Sequence, residues 1–521
     1  MRVSEDIARL DKLLRGDSHV YKELTRDQVL RAVEGMSLRY WGPRPLLHQR
    51  IATLACLEHA SYLLLLDKGL GKSKVLLDVF SYLWERRLRL EFNHVNKGLI
   101  LCPNQTLIEG WGEQIETHAP WANYMLCPAS LDKAGEVKRE FMRKVLDDED
   151  HQLVVIDYPS LQTMLCKRVG KKPVLVPELC EQLGRKFQFA VLDEIHGVKD
   201  RKTLRFEILL ELMAPIHYRY GATATIFNQD PFDTWAQAYL LDGGVTFGTT
   251  PTAFRHFFCK DKYDPFARNN RVSVFDEDKR DLFNEWLRGM SIRYLINECV
   301  DLPNLRRVRP ELEMSTEQRI VYRQVLQEVR DAKKKDPEAR VNAWQKLRRV
   351  MSGFIPYESE YIPMSISPKM EWLKQKVRQW NEPVVLFYEF TATGQQINQH
   401  MSEIVGSDRV GWLWSGTKDK QKVMELWKRG SVDILVIQNT VGAAGLNLQR
   451  SRRQVFYECP TSAIIRSQAE SRIWRLGQER ACFLYDLFFP HTVEEKVFSR
   501  VYQGIDLHKA VVDGIEESDD E

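Results

Sequence analysis

Long apolar runs are missing from this 521-residue chain, and no stretch approaches the ~20 apolar residues that a membrane-spanning helix requires. The opening MRVSEDIARLDKLLRGD is charged throughout and lacks the apolar core of a signal peptide. Nine cysteines are scattered with no CxxC pair and no histidine at metal-ligand spacing. That argues against a zinc site and for free thiols in a reducing compartment. A cytoplasmic protein is predicted, or a nuclear one if the host cell has a nucleus, with no membrane contact. Charge of one sign is missing too. With 75 basic and 72 acidic residues the formal net charge is only +3, so any nucleic-acid surface must come from local clusters of Lys and Arg. Repeats at solenoid periods are absent as well.

What is present is a rhythm. An apolar fraction of 44% and a charged fraction of 28% describe an ordinary globular chain, and its length suits about two or three domains. Residues 1–44 read as a helical N-terminal segment, with Ile7, Leu10, Leu13 and Leu14 and later Val29, Leu30 and Val33 at helical spacing. Over 45–246 short apolar runs alternate with amphipathic stretches: LLLL at 63–66, GLILC at 98–102, LVVI at 153–156 and FAVLDE at 189–194. Such alternation predicts a parallel sheet wrapped by helices. Over 247–380 the strand rhythm stops, and the charge-rich stretches 315–335 and 341–350 predict a helical insert. Strand rhythm returns over 381–505 with VVLFY at 384–388, GWLW at 411–414, DILVI at 433–437 and QVFY at 454–457. Residues 506–521 finish a helix and run into the acidic tail GIEESDDE. The fold class expected is α/β: two lobes with parallel sheets, a helical insert between them and a short helical segment in front.

The sharpest local signal is LLLLDKGLGKSKVLLDVF, residues 63–80. An apolar strand runs into Gly69, Leu70, Gly71, Lys72 and Ser73, and then into a helix. Glycines let backbone N–H groups close around phosphate oxygens, and the helix N-terminus adds partial positive charge. Lys72 is placed to reach β- and γ-phosphates, and Ser73 to ligate Mg²⁺. Leu66 stands where the full P-loop pattern has a small residue. The complementary signal is FAVLDEIHGVKD, 189–200, which puts Asp193 and Glu194 at the carboxyl end of a strand, where α/β folds bind ligands. Two acids there could be no more than a helix cap. After a P-loop they suit Mg²⁺ binding by Asp193 and orientation of the attacking water by Glu194.

In this order the motifs resemble those of the superfamily-two helicase-like ATPases, and within them the Swi/Snf-type translocases, over about residues 45 to 500. Gln49 in LLHQR matches the glutamine that reads adenine. Residues 99–120 resemble motif Ia, 153–161 the next strand and turn, 193–203 the DEAH box with its Lys-bearing loop, and 221–242 motif III with Asn228 and Trp235. VVLFYEFTAT at 384–393 resembles motif IV, QNTVGAAGLNLQ at 438–449 motif V with Gly445, and SQAESRIWRLGQER at 467–480 motif VI with Gln468, Arg472, Arg475, Gly477 and Gln478. There are departures: Trp474 replaces the usual His, Ala224-Thr225 lack the usual Pro, and Asp67-Lys68 replace Glu-Met.

The resemblance implies two RecA-like lobes that use ATP and Mg²⁺, with Gln468, Arg472 and Arg475 joining the catalytic set and Gly445 the nucleotide contacts. Arg472 and Arg475 would share one face if motif VI is helical. They would enter as arginine fingers when the lobes close. Nucleic-acid contacts fall on Asn104, Gln105 and Thr106 in motif Ia, Thr391 and Thr393 in motif IV, and Thr440 in motif V. Lys346, Arg348, Arg349 and the basic run at 331–340 are further candidates for the duplex, although such runs are more often solvated faces. Trp111, Trp235 and Trp474 read as core residues. The implied function is a monomeric ATP-dependent translocase on double-stranded DNA, moving about one nucleotide per ATP. Single-stranded or forked DNA is the track in the first alternative, a structure-specific helicase, annealing or branch-migration motor. A separating pin for it would be a β-hairpin in the second lobe, and the sequence shows no convincing one. The second alternative is a nucleotide-switched adaptor for a protein partner such as RNA polymerase. The lack of accessory modules suits a bacterial or viral source.

Overall fold

Parallel sheets must be covered on both faces, so their strands are apolar runs separated by helices. The computed structural model realises this pattern twice. It describes residues 26–35, 39–88, 95–129, 132, 135–170, 172–198, 200–224, 231–263, 271–299, 302–332, 337–357, 360–365, 367–442, 446–475 and 477–502. The chain divides into two units, Met1–Val300 and Asp301–Glu521.

The first unit contains β1 (Ser61–Leu66), β2 (Gly98–Cys102), β3 (Tyr124–Leu126), β4 (Leu153–Asp157), β5 (Cys166–Val169), β6 (Lys172–Leu175), β7 (Phe189–Asp193), β8 (Tyr218–Ala222), β9 (Cys259–Tyr263), β10 (Arg271–Phe275) and β11 (Ser291–Tyr294). Seven of them form one sheet in the order β11-β1-β8-β7-β2-β4-β3, every pairing parallel. Leu63, Leu64, Leu66, Leu99, Leu101, Val155 and Leu192 are buried in its centre, each contributing ~2 kcal/mol of transfer free energy. Strand β8 lies between β1 and β7. The strand that ends in the glycine loop and the strand that ends in Asp193 therefore finish one strand apart on the same edge.

The second unit contains β12 (Leu305–Val308), β13 (Phe354–Tyr357), β14 (Glu360–Pro363), β15 (Val384–Tyr388), β16 (Val410–Leu413), β17 (Ile434–Gln438), β18 (Arg453–Phe456) and β19 (Cys482–Asp486). Six make a second parallel sheet, β12-β19-β18-β15-β17-β16. Its helices include Thr316–Ala332 and Pro337–Met351, where the charge-rich segments predicted them. The α/β class and the two parallel sheets are as expected.

The stretch 247–380 is not the helical insert expected of it. Its first part belongs to the first unit, held by aromatic packing: Phe247 meets Phe254 edge-on at 5.5 Å, and Phe258 meets Phe283 at 5.7 Å. It ends in β11, which closes an edge of the first sheet by pairing Ile292 with Leu64. Strand β12 then closes an edge of the second sheet, pairing Leu305 with Cys482. Both strands are four residues long and contain arginine, Arg293 in one and Arg306 and Arg307 in the other, so neither stands out as an apolar run. The sequence also gave no sign of the antiparallel hairpin β13–β14 in the second unit. Of the predicted N-terminal helical segment, Arg26–Gly35 is a helix; residues 1–25 and 36–38 and the tail 506–521 lie outside the described residues. Among the described residues no helix is long and apolar enough to cross a membrane.

Candidate active site

At the end of β1 the chain must turn tightly into the helix Lys72–Leu88, and two glycines make the turn. Gly69 and Gly71 have φ of 85° and 83°, where a Cβ is strained. A Cβ on Gly71 would also lie 2.3 Å from Gln49 Nε2. Gln49 is buried and clamps the loop from the side: its Oε1 accepts from Leu46 N at 2.9 Å, and its Nε2 donates to Leu70 O at 3.0 Å. Leu70 points into the core and is buried. Lys72, the first residue of the helix, donates from Nζ to Leu66 O at 2.9 Å. Ser73 follows it, half-buried. Asp67, one of the departures, anchors the loop to the neighbouring edge, its Oδ2 accepting from Ile296 N at 2.9 Å.

One strand beyond β8, Asp193 and Glu194 are held differently from each other. Asp193 Oδ2 accepts the indole N–H of Trp111 at 3.0 Å, and Oδ1 accepts Glu194 N at 3.0 Å. The Tyr158 hydroxyl donates to Asp193 O at 2.9 Å. Glu194 sits in the left-handed region at φ 48°, ψ 49°, which costs a non-glycine residue ~1–3 kcal/mol and marks a constrained turn. Its Oε2 accepts from Thr223 Oγ1 at 3.3 Å and lies 3.2 Å from His196 Nδ1, which in turn is 2.9 Å from Thr223 Oγ1. Thr223 follows directly on β8, so the strand order itself brings it between the two motifs.

The electrostatics separate the two acids. Burial, together with the Glu194 charge, pushes the Asp193 carboxyl up against the hydrogen bond from Trp111. Burial acts the same way on Glu194 but is outweighed by the His196 hydrogen bond and the charges of Lys72, His196 and Lys68, which hold that carboxyl low. Adjacent acids with affinities driven apart can take different roles. Glu194 remains an anion suited to orienting water, and Asp193 is a carboxylate whose ionised form a cation would favour. His196 and Thr223 were not singled out from the sequence. Trp111 was read as a core residue, and it is buried, but its N–H serves Asp193.

The nucleic-acid candidates divide. Asn104 is exposed and caps the helix Gln105–His118, its Oδ1 accepting from Leu107 N; Thr106 lies in the first turn of that helix. Thr391 and Thr440 are exposed at the starts of helices in the second unit. Two candidates are corrected because their side chains are used internally. Gln105 donates to Cys127 O at 2.9 Å and accepts from Lys138. Thr393 is fully buried and donates to Glu458 at 2.7 Å. Arg348 is likewise internal, donating to Cys459 O at 2.6 Å, while Lys346 pairs with Glu328 at 3.3 Å.

In motif VI the helix Ala463–Glu470 stops before the arginines. Arg472 and Arg475 lie in the turn that follows, so they do not share a helix face as expected, and only Gln468 is helical. Ser471 caps the helix, and Arg472 O accepts from Leu448 N at 3.2 Å instead of continuing it. Gln478 Nε2 donates to Gln449 O at 3.0 Å and Ser451 O at 3.2 Å, tying motif VI to the residues after motif V. Burial pushes the Arg475 guanidinium down from its usual range. Trp474 donates to Pro303 O at 2.8 Å, a structural use for the residue that replaces His. Gly445 lies outside the described residues.

Known proteins resemble this chain in part. Residues 368–477 match the family described as the helicase conserved C-terminal domain. The DNA repair and recombination protein RAD54-like of Gallus gallus is 35% identical over 497 residues, covering 86% of this chain and 63% of that protein. The uncharacterized ATP-dependent helicase YqhH of Bacillus subtilis is 31% identical over 136 residues, 26% of this chain and 24% of its own. The chain thus spans under two thirds of the length of these relatives. Among solved structures, the Sulfolobus solfataricus SWI2/SNF2 ATPase core in complex with dsDNA aligns over 88% of this chain and 91% of that one, at 17% identity and a TM-score of 0.39. With the motifs in order along both units, the chain is similar to the superfamily-two helicase-like ATPases of the Swi/Snf type, and residues 368–477 carry the helicase conserved C-terminal domain.

Proposed function

We propose that the chain is an ATP-dependent translocase on double-stranded DNA that remodels DNA or DNA-bound proteins without sequence preference. The observation that carries this reading is the pairing of a glycine loop that ends in Lys72 with a Glu194 kept anionic on the same sheet edge. The residues fit ATP and Mg²⁺: the cradle at Gly71 admits no Cβ, and Ser73 with Asp193 offers the oxygen donors that Mg²⁺ takes. Bound Mg·ATP supplies the phosphoryl group that is transferred to water. Lys72 would exchange Leu66 O for phosphate oxygens, and Ser73 with Asp193 would hold the cation. Thr223 and His196 fix Oε2 of Glu194, so Oε1 is the atom left to orient the water. Gln468, Arg472 and Arg475 are proposed as further members of the catalytic set; removing an arginine that compensates transition-state charge costs ~10³–10⁵ in turnover. Asn104, Thr106, Thr391 and Thr440 are the contacts proposed for the track, which they would grip through phosphates and so without reading sequence. The relatives named for DNA repair support DNA as that track.

The test is ATP hydrolysis alone and with equal mass of single-stranded, duplex or forked DNA, or RNA. Stimulation by plain duplex, lost in Lys72→Ala and Glu194→Gln, is the expected result. Hydrolysis indifferent to every nucleic acid would sink it and favour a nucleotide-switched adaptor. A structure-specific motor is the second reading, favoured by the β13–β14 hairpin of the second unit. Stimulation confined to forks, with displacement of a labelled strand, would select it.

A further inference from the structure

Surface cations on and beside the helices Glu136–Asp147 and Pro177–Gly184 of the first unit are commonly paired. Arg139 meets Glu136 at 3.0 Å and Lys144 meets Glu140 at 2.9 Å. Arg185 meets Glu181 at 2.5 Å and Lys186 meets Glu149 at 2.9 Å. Between these helices in the chain stands the β5–β6 hairpin, where the pattern fails. Its sequence CKRVGKKPVL, residues 166–175, holds four cations and no acid. Lys167, Arg168 and Lys172 are exposed, and among the described residues none of the three has an ion pair.

The register sorts the hairpin into two faces. Lys167 pairs with Val174 and Val169 with Lys172, so these four share one side of the ribbon. Both valines are open to solvent, Val169 at 57% and Val174 at 41% exposure. The half-buried Cys166 and Leu175 share the other side. Gly170, at φ 63°, makes the turn. Folding gains little from this arrangement: like charges repel along it and its valines bury little. A polyanion would gain from it. A two-stranded ribbon has the width to lie in a nucleic-acid groove, with its lysines at the phosphates and its valine methyl groups against the sugars.

We propose that the β5–β6 hairpin is a further contact to the phosphodiester backbone of duplex DNA, separate from the loops of motifs Ia, IV and V. The inference rests on the duplex reading above. Its experiment is the salt dependence of affinity of the full chain for a fluorescently labelled duplex of mixed sequence. Each phosphate neutralised contributes ~0.9 to the slope of log affinity against log salt. Losing two contacts in Lys167→Ala/Lys172→Ala should lower the slope by ~1.8, so that affinity falls roughly 12-fold less between about 50 and 200 mM salt. Lys167→Arg/Lys172→Arg should keep the wild-type slope, and Lys172→Gln alone should lower it by ~0.9. Thermal melting of each variant reports folding, and the single substitution serves if the double variant melts early. Lysines on a ribbon also guard its edges against strand pairing; that role alone leaves the slope unchanged, and an unchanged slope overturns the proposal. A wild-type chain that does not bind duplex would remove both the functional reading and this inference. Wild-type binding with an unaltered variant removes the inference alone.

Discussion

Both sheets end in a pair of carboxylates on the same edge, and the two pairs are put to opposite uses. In the first unit Glu194 has one oxygen held by a hydroxyl and an imidazole and sits on a left-handed backbone. In the second, Glu458 is buried and accepts from Glu389 N at 2.6 Å, Phe390 N at 3.0 Å and Thr393 Oγ1 at 2.7 Å. Glu389 beside it accepts from Asn439 Nδ2 at 2.7 Å. Those bonds join the loops that leave β15, β17 and β18. Acids at the carboxyl edge of a parallel sheet are therefore not enough to mark a nucleotide site. In the second unit both are consumed in holding loops together, and no glycine cradle faces them among the described residues.

The sharpest way to break this comparison is to remove one charge from each pair. Glu194→Gln keeps shape and the bond to Thr223, so its melting temperature should stay near wild type while turnover falls ~10²–10⁴-fold. Glu458→Gln should do the reverse. A hydrogen bond to a charged group contributes ~1.5–3 kcal/mol, and three converge there, so urea melts should show a loss of about 3 kcal/mol or more. A Glu458→Gln chain that melts normally but cannot hydrolyse ATP would show that the second pair belongs to the chemistry.

A smaller effect sharpens the first half. Trp111→Phe keeps an aromatic ring at the site but removes part of the buried indole and deletes the N–H on Asp193 Oδ2. Loss of a group that orients a metal ligand typically costs ~10–100-fold in metal affinity. The Mg²⁺ concentration for half-maximal binding of a fluorescent ADP should rise by that order, with a melting temperature lowered by the truncated ring. Unaltered Mg²⁺ dependence would return Trp111 to the role of a core residue.

The sequence exposed this site unevenly, for physical reasons. Gly69, Gly71, Lys72, Asp193 and Glu194 were legible because each is demanded by phosphate chemistry at a fixed offset from an apolar strand. Trp111 and Thr223 were not, since the function of each is one hydrogen bond between elements that only the order β8-β7-β2 brings together. Thr393 and Gln105 were misjudged because a polar residue beside a motif loop looks the same whether it faces out or is bonded inside, to Glu458 in one case and to Cys127 O and Lys138 in the other. In the fold, the inner strands showed as runs of buried apolar residues. The edge strands β11 and β12 did not, because an edge tolerates arginine and four residues suffice for it.

The finest discrimination concerns Glu389. Burial pushes its carboxyl above the ordinary glutamate value, against the lowering by Arg348 and Asn439. In the unfolded chain that carboxyl ionises near ~4.3. As pH climbs from there towards the raised folded value, the unfolded state loses its proton first, and Glu389 costs the fold progressively more stability. Gln cannot ionise and its carbonyl can still accept from Asn439. Glu389→Gln should therefore match wild type near pH 4 and become the more stable protein as pH rises, levelling off above the folded value. Melting temperatures of both chains across that range would read it directly. A variant that is less stable at neutral pH would mean that Arg348 outweighs burial and that Glu389 is an ionised partner of that arginine, which would make the second pair resemble the first.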